Sequence, residues 1–327
     1  MSPEETFESL RPHAMRVAYR LLGTLAEAED VVQEAWLRWS RVQASEIRSP
    51  KAWLTTTVTR LAIDQLRAQK TRREAYPGPW LPTPLIEFDL DHLPDEKTPS
   101  PEDRIALADD VSLALMMVLE QLGPEERAAF ILREAFDTDY GEISRILGKS
   151  EAACRQIVSR AHKHIRAGKP RFEQTKDQHS SLHSAFLQAL QSGDVEAFGR
   201  LCAKDAVLLS DGGGKVQAAL NPLYGRDRVT RFILGLSRKW VRWVESGRLP
   251  GQTLEFYSAQ INGLPGFVTF TGEEIYMSVA LDTDDEGRIS HVYMMRNPDK
   301  LKHVHRPSGP PTLSFDLRAG TTPGGTP

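Results

Sequence analysis

Three glycines followed by a lysine, Gly212 to Gly214 and Lys215, are the first residues whose types and spacing could do chemistry. A loop of this kind binds phosphate when it follows the pattern GxxxxGK[ST], because backbone N–H groups hold the phosphate oxygens and the hydroxyl reaches the metal. Here Val216 follows the lysine, and Leu209 occupies the position of the first required glycine. The sequence therefore predicts that this loop binds no nucleotide.

Positive charge is concentrated in two segments, although the net charge of the chain is -3. Residues 145–171 contain eight lysines and arginines against one acidic residue, and a second basic cluster occupies residues 60–73. Residues 85–110, between them, hold nine acidic residues and only two basic ones. Two basic segments around an acidic linker favour two DNA-contacting modules over a single enzyme.

Helical periodicity without strand signals runs through residues 7–74. Thr24 and Glu27 form a capping-box pattern at the start of one predicted helix, and Ser49 followed by Pro50 predicts the start of another that reaches about Arg72. Residues 76–103 contain seven prolines, which exclude a packed helix or a central strand and indicate a linker.

A helix-turn-helix is predicted near residues 140–167. Gly148 marks the end of its first helix and Ser150 caps its second. Ala153, Ile157 and Ala161 lie on the apolar side of the second helix, whose other side presents polar and basic residues that could read base edges and neutralise phosphates.

After residue 176 short helices are followed by a series of strand-like runs separated by turns, which predicts an α+β domain. The tail is rich in proline, glycine and threonine and is expected to be disordered. The two cysteines lie far apart without metal-ligand spacing, so no metal or cofactor is expected, and the acidic N-terminus and the lack of a long apolar run favour a soluble, cytoplasmic protein outside any membrane.

The helical half resembles bacterial sigma-70-family factors. "LLGTLAEAEDVVQEAWLRW" is similar to region 2.2, "SPKAWLTTTVTRLAIDQLRAQKTRRE" to regions 2.3 and 2.4, and "GEISRILGKSEAACRQIVSRAHKHIR" to region 4. No long region 1 or 3 is present, so the chain is identified as a member of the extracytoplasmic-function type. The expected fold class is multidomain: two all-α sigma domains followed by an α+β domain.

This resemblance implies partners and sites. Core RNA polymerase is expected to bind through its β′ clamp helices and β flap, with region 2.2 contributing Glu27, Asp30, Gln33, Glu34 and Leu37. Promoter DNA is the second implied partner. The implied -10 contacts are Trp53, Thr56, Arg60, Asp64, Arg67, Arg72 and Arg73. The implied -35 contacts are Ser150, Glu151, Arg155, Gln156, Ser159, Arg160 and Lys163. From the residues alone, Trp53 could equally stack on an unpaired base or pack in the core.

The C-terminal half resembles the SnoaL-like cone fold of ketosteroid isomerases and polyketide cyclases. Three motifs, "WLPTPL" at 80–85, "DGGGK" at 211–215 and "NPDKL" at 297–301, resemble those of sigma factors that carry this extension, with Thr83 where the group's linker motif has Glu. The resemblance implies that the extension regulates the sigma core by intramolecular contact. The implied contact residues are Trp80, Leu81, Pro82, Asp211, Gly212, Gly213, Gly214, Lys215, Asn297, Pro298, Asp299 and Lys300.

The expected domains are sigma region 2 at 7–74, a Pro-rich acidic linker at 75–107, region 4 at 108–167, the SnoaL-like domain at 177–302 and a disordered tail at 303–327. The function expected is that of a promoter-directing sigma factor without catalytic residues. Two alternatives stay open at this point. One is an isomerase or cyclase, for which Asp205, Asp211, Tyr257, Tyr276 and His291 are the acid-base candidates. The other is a ligand-sensing helix-turn-helix regulator that binds duplex DNA without polymerase.

Overall fold

The computed structural model describes residues 2–42, 47–88, 113–167, 182, 185–189, 192–245 and 253–316. The chain forms two compact units. The first comprises residues 1–75 and 98–169, and the second comprises residues 76–97 and 170–327. The proline-rich segment after Tyr76 therefore groups with the C-terminal unit, while both predicted sigma regions lie in the first.

Three helices make the N-terminal part of the first unit: α1 (Pro3–Leu22), α2 (Leu25–Trp39) and α3 (Pro50–Glu74). A capping box of Ser2 and Glu5 starts α1, and Gly23, with a φ of 77°, ends it. Apolar residues at helical spacing form the core between the helices, among them Ala14, Val17, Leu21, Ala28, Val32, Leu54 and Val58.

The capping box predicted for the second helix is not formed. Thr24 is the N-cap of α2, but its side chain makes no capping hydrogen bond. Glu27, which was expected to complete the box, instead accepts a hydrogen bond from Gln69 Nε2 at 2.8 Å. A hydrogen bond from another helix has therefore replaced the local capping interaction.

The rest of the first unit is α4 (Leu113–Leu119), α5 (Pro124–Phe136), α6 (Tyr140–Leu147) and α7 (Glu151–Ala167). The predicted helix-turn-helix is present in α6 and α7. Gly148 has a φ of 66° in the turn, and the Ser150 hydroxyl accepts a hydrogen bond from Ala153 N at 3.2 Å. The buried stripe of α7 is built from Cys154, Ile157, Val158, Ala161 and Ile165.

A mixed sheet dominates the second unit. Its strands are β1 (Ile86–Phe88), β2 (Cys202–Asp211), β3 (Leu223–Tyr224), β4 (Thr253–Ile261), β5 (Leu264–Thr271), β6 (Glu274–Thr283), β7 (Ile289–Met295) and β8 (Leu313–Asp316). Their order is β1-β4-β5-β6-β7-β2-β3, with β8 also paired to β4, and the β2–β7 pair is parallel.

Helices α8 (Val195–Leu201) and α9 (Arg226–Glu245) contribute to the same core as one face of this sheet, and a short helix, α10 (Pro298–Leu301), follows β7. Phe198 and Val229 from the helices are buried with Phe256, Phe267 and Val279 from the strands. This is the α+β domain that the sequence predicts. Because α10 follows directly after β7, which pairs with β2, its residues are brought to the end of β2.

The structure differs from the expectation of a disordered tail starting at residue 303. Strand β8 pairs antiparallel with β4, with Leu254 opposite Phe315. Thr312 N also donates a hydrogen bond to Phe256 O at 2.8 Å. Alternating apolar residues at 313 and 315 supply a short edge strand, a signal that the surrounding prolines and glycines obscure. Residues 317–327 lie outside the described residues.

None of the helices in the described part of the chain is both long enough and apolar enough to span a bilayer.

Candidate polymerase, DNA and linker-docking sites

Four of the five residues expected to bind polymerase share the outer side of α2. Asp30, Gln33 and Leu37 are exposed, and Glu34 pairs with Arg38 at 2.9 Å. Their spacing of three or four residues places them on one helix face, with Leu37 as an exposed apolar side chain beside the carboxylates. Such a face fits a basic partner helix with some apolar surface.

Glu27, the fifth of these residues, is half-buried near the start of α2, and its carboxylate makes a contact within the unit. Besides the hydrogen bond from Gln69, its Oε2 atom is buried without a hydrogen-bond partner among the described residues. Its charge also raises the pKa of Arg127, although burial of that guanidinium has the larger effect and lowers the pKa to about 10. The Glu27 carboxylate therefore has a polar partner inside the unit, and its role as a polymerase contact stays a prediction.

The residues expected at the -10 element lie along α3. Thr56 is half-buried, whereas Arg60, Asp64 and Arg67 are exposed. The half-buried Trp53 packs edge-on against Trp39, with their ring centroids 5.4 Å apart. It is therefore partly packed in the core and partly accessible for stacking on a base, and both interpretations stay open. The side chains of Arg72 and Arg73, near the end of α3, lie outside the described residues.

Both arginines with described side chains on this face contact later helices of the same unit, Arg60 at α6 and Arg67 at α5. Arg60 donates hydrogen bonds to the carbonyl oxygens of Arg145 at 2.7 Å and Ile146 at 3.1 Å, in the last turn of α6. Arg67 pairs with Glu125 at 2.6 Å and with Asp64 at 3.3 Å. The sequence does not reveal the contacts with Arg145, Ile146 and Glu125, since each joins segments more than fifty residues apart.

The side chains expected at the -35 element form one exposed surface on α7 and its preceding turn. Ser150, Glu151, Arg155, Gln156, Ser159, Arg160 and Lys163 are all exposed. Arg155 pairs with Glu151 at 2.9 Å and lies over the Tyr140 ring at 4.9 Å, while Arg160 pairs with Glu126 at 3.3 Å. The exposed face therefore combines cations for phosphates with neutral groups that can reach base edges.

Three segments that lie far apart in the sequence meet in the second unit and form what we call the linker-docking site. They are the linker residues 76–85, the loop that follows β2, and the segment 297–303 around α10. The carboxylate of Asp211 joins all three. Its Oδ1 accepts hydrogen bonds from Tyr76 Oη at 2.6 Å and Gly213 N at 2.9 Å, and its Oδ2 accepts from Leu81 N at 2.9 Å and Lys300 Nζ at 2.8 Å.

Lys300 is the cation of this site. Its ammonium donates to Asp211 and to the carbonyl oxygen of Leu81 at 2.5 Å, and it lies 4.2 Å from the centroid of the Trp80 ring and 5.1 Å from that of Tyr76. The side chain is 8% exposed and that of Asp211 is fully buried. A buried pair of this kind persists only when hydrogen bonds satisfy both charges, and here the backbone N–H and carbonyl group of Leu81 supply one to each charge.

The glycines of the loop allow the linker and α10 to approach closely. Gly213 has a φ of 61°, and a Cβ atom there would lie 2.3 Å from Asn297 Nδ2. Gly214 has a φ of 70°, and its Cβ would lie 2.6 Å from Pro77 Cγ. Both positions therefore need glycine for two reasons, the left-handed backbone and the absence of space.

Polar contacts extend the linker-docking site at its rim. Asn297 caps α10 by accepting from Asp299 N at 3.0 Å, and its Nδ2 donates to Tyr76 Oη at 2.9 Å. Lys215 and Asp299 form an exposed ion pair, which lowers the pKa of the Asp299 carboxyl. Farther along the linker, His303 Nε2 hydrogen-bonds the carbonyl oxygen of Pro84 at 3.0 Å.

Trp80, Leu81, Asp211, Gly213, Gly214, Asn297 and Lys300 thus lie in one contact network, as do Lys215 and Asp299 at its edge. Pro82 is buried, Gly212 is buried beside Val216, and Pro298 is exposed at the start of α10. Sequence reasoning missed Tyr76, whose pKa is raised by burial and by its hydrogen bond to Asp211. The residue stands at the start of the proline-rich segment and carries no local signal.

Among the acid-base candidates for an enzyme, Asp211 and Tyr257 lie in different surroundings, whereas the charge of Asp205 acts on His291 and raises its pKa against the larger effect of burial. Asp211 belongs to the linker-docking site, and Tyr257 Oη contacts Glu255 at 3.2 Å and Arg306 at 3.1 Å. His291 stacks on Tyr293 and is paired across the sheet with Asp282, which was not among the candidates. Burial lowers the pKa of His291 and raises that of Asp282. The described hydrogen bonds join no two of the five candidates.

Comparisons with known proteins match the chain over most of its length. The sigma-70 region 2 family matches residues 6–72, and the sigma-70 region 4 family matches residues 112–165. The ECF RNA polymerase sigma factor SigJ of Mycobacterium tuberculosis is 37% identical over 299 residues, which cover 90% of this chain and 92% of the relative. The probable ECF RNA polymerase sigma factor SigI of the same species is 29% identical over 295 residues, covering 89% and 92%.

A solved structure agrees with these relatives. The crystal structure of the Mycobacterium tuberculosis extracytoplasmic function sigma factor SigJ has a TM-score of 0.69 and 35% identity to this chain, and the match covers 90% of this chain and 97% of that one. The expected fold class, two helical sigma domains followed by an α+β SnoaL-like domain, is confirmed. The chain therefore belongs to the extracytoplasmic-function family of RNA polymerase sigma factors, and its function is to direct core polymerase to promoters.

Proposed function

We propose that the C-terminal unit sets the activity of this sigma factor by holding the linker between sigma regions 2 and 4. The observation that carries the proposal is the Asp211 carboxylate, which accepts two hydrogen bonds from the linker, at Tyr76 Oη and Leu81 N. Lys300 adds a bond to the linker carbonyl of Leu81. Fold alone does not fix function, so the argument rests on these contacts.

The linker is a point at which one domain can act on two others. Residues 76–88 belong to the C-terminal unit, whereas the segments before and after the linker carry the predicted -10 and -35 contacts. When this part of the connection is held, the length of chain free to span the two regions is shorter and its conformational freedom is smaller. Release of the linker would change how readily both regions engage polymerase and promoter together.

The contacts with polymerase and DNA follow from the same assignment. Asp30, Gln33, Glu34 and Leu37 on α2 are proposed to bind the β′ clamp helices, and region 4 the β flap. The faces of α3 and α7 are proposed to contact the -10 and -35 elements. A direct contact of the C-terminal unit with the sigma core, beyond the linker, also stays a proposal.

Promoter-dependent transcription by core polymerase tests the role of the linker-docking site. Trp80→Leu removes the aromatic face from Lys300 without leaving a buried charge unpaired, and Lys300→Met breaks the buried pair. Lys302→Met is the matched control, because that lysine is mostly exposed and pairs with Asp299 at 3.0 Å on the rim. We expect both site variants to change transcript yield in the same direction while the control matches wild type.

Folding of each variant is followed by thermal melting, so that transcript yields are compared only where the second unit is folded. If Trp80→Leu folds and transcribes as wild type does, the linker contact does not regulate activity. For the polymerase face, Asp30→Arg should abolish capture of the β′ subunit, with Glu8→Arg, at an exposed carboxylate of α1, as control.

A further inference from the structure

A pair of carboxylates at the start of α5, Glu125 and Glu126, contacts cations from three other parts of the first unit. Glu125 pairs with Arg67 of α3 at 2.6 Å and with Lys149 of the helix-turn-helix turn at 3.0 Å. Glu126 pairs with Arg160 of α7 at 3.3 Å. The five residues line one cleft of the unit together with Ile157.

Two of these cations are the ones that the sigma assignment places on DNA. Arg67 lies on the face proposed for the -10 element, and Arg160 lies on the face proposed for the -35 element. In each case a carboxylate oxygen accepts from a guanidinium group that could otherwise donate to a phosphate oxygen. Lys149 is not among the residues expected to contact DNA, yet its ammonium pairs with the same carboxylate, Glu125, as Arg67 does.

Neighbouring contacts hold the same two regions together. Arg60, another residue of the -10 face, donates to the carbonyl oxygens of Arg145 and Ile146 at the C-terminus of α6, where the helix dipole favours a cation. Deeper in the unit, Arg127 of α5 pairs with Glu120 at 2.7 Å and donates to the carbonyl oxygen of Arg20 at 3.3 Å. The DNA-facing side chains of region 2 therefore contact region 4 at two independent places.

We propose that Glu125 and Glu126 are an internal substitute for promoter phosphates: in the free chain they occupy Arg67, Lys149 and Arg160, and DNA must displace them before these cations can bind. The proposal rests on the DNA contacts given under the proposed function and adds Lys149 to them. It makes the free chain a weak DNA binder by direct competition between carboxylate and phosphate.

The exposure of the pairs suits such a competition. The side chains of Arg67 and Arg160 are 54% and 55% exposed, and that of Glu125 is 35% exposed. Partly exposed ion pairs are individually weak and are screened by salt, so a polyanion can replace them. Hydrogen bonding from Lys149 lowers the pKa of Glu125, as expected for a carboxylate held by two cations.

Binding of the free full-length chain to a fluorescent promoter duplex, measured by anisotropy across a salt series, tests the proposal. Glu125→Gln/Glu126→Gln should bind about threefold to thirtyfold more tightly than wild type at low salt, since about three weak pairs no longer compete. The plot of log K against log salt should also become steeper, by about 0.9 for each additional phosphate that the protein neutralises. Glu4→Gln/Glu8→Gln is the control, because it makes the same change in net charge at exposed sites on α1, away from the cleft.

A second variant separates the effect of side-chain length from the effect of charge. Glu125→Asp/Glu126→Asp keeps both negative charges at the start of α5 but shortens each side chain by one methylene, so it should also bind DNA more tightly than wild type. Adding Lys149→Gln to the glutamine pair should remove part of the increase in salt slope. Equal affinity and slope for the glutamine pair and its control would overturn the proposal.

The same variants, measured in complex with core polymerase, distinguish a failure of the carboxylate competition from a failure of the proposed sigma function. Holoenzyme made with the glutamine pair should initiate at the promoter at least as well as wild type. Normal initiation together with unchanged affinity of the free chain overturns the carboxylate competition alone. If Arg67→Gln and Arg160→Gln leave holoenzyme binding to the promoter unchanged, the assigned DNA contacts are wrong, and the proposal falls with them.

Discussion

Removing the ammonium of Lys300 should destabilise the second unit far more than an equivalent change nearby. In Lys300→Met the Asp211 carboxylate stays fully buried but loses its only cation among the described contacts. Breaking a buried pair on one side costs about 3 to 5 kcal/mol. That cost includes the loss of the cation–π interaction between the ammonium and the Trp80 ring, whose centroid lies 4.2 Å away. Because the methionine side chain still covers the ring, no further cost for lost apolar contact is added.

The expected shift in melting temperature follows from the size of the unit. A domain of this class loses about 2 to 4 °C for each kcal/mol, so we expect the transition of the second unit to fall by about 6 to 20 °C. Lys302→Met should change stability by no more than about 0.5 kcal/mol, because its side chain is 74% exposed.

Chemical denaturation followed by intrinsic fluorescence provides the free energies, and calorimetry the melting temperatures. Asp211→Asn/Lys300→Met, which removes both charges, should be less destabilised than the sum of its two single variants, because neither charge is left buried alone. A loss in Lys300→Met no larger than in Lys302→Met would refute the reasoning. So would strict additivity in the double variant, since the two side chains would then act independently.

Three further perturbations have expected outcomes. Gly213→Ala should lower the free energy of unfolding by more than Gly287→Ala does, since both glycines have positive φ but only the first Cβ would meet Asn297; paired denaturation curves measure the difference. Burial and nearby cations lower the pKa of His13 to about 4, so the unfolded chain binds a proton between pH 6.5 and pH 4 that the folded chain does not. The free energy of unfolding should therefore be highest above pH 6.5 and fall by at most about 3 kcal/mol toward pH 4. His13→Gln should flatten that decline in unfolding curves at pH 7 and pH 5. The raised pKa of Tyr76 favours the neutral phenol in the folded state, so stability should fall only above about pH 10, and Tyr76→Phe should lose that alkaline fall in pH-dependent melts.

Features set by local chemistry could be predicted from the sequence. The turn of the helix-turn-helix needs a residue with positive φ and a cap for the next helix, and Gly148 and Ser150 meet these needs within three positions. The polar face of α7 follows from helical spacing alone. The strands of the second unit were equally visible, because alternation and turn residues are properties of short windows.

Features set by tertiary partners could not be predicted in this way. Glu27 has the spacing of an exposed capping-box residue, yet Gln69, on another helix, binds it. Strand β8 exists because β4 offers it an edge, and nothing in a segment rich in proline and glycine indicates that edge. Periodicity places Arg60 and Arg67 on one face of α3, but it does not specify whether that face meets phosphates, carbonyl oxygens or carboxylates.

The loop at residues 212–214 contains both kinds of feature, one set by local chemistry and one set by a tertiary partner. Consecutive glycines predict positive φ and close approach by something, and both hold at Gly213 and Gly214. The approaching group is not a phosphate, because Asp211 at the start of the loop presents a buried carboxylate that repels anions and binds donors instead. A buried carboxylate needs a cation and hydrogen-bond donors, and Lys300 with the linker supplies them. The residue that identifies the loop's partner is therefore the aspartate before the glycines, whose carboxylate accepts hydrogen bonds from the Tyr76 hydroxyl and the Leu81 N–H of the linker.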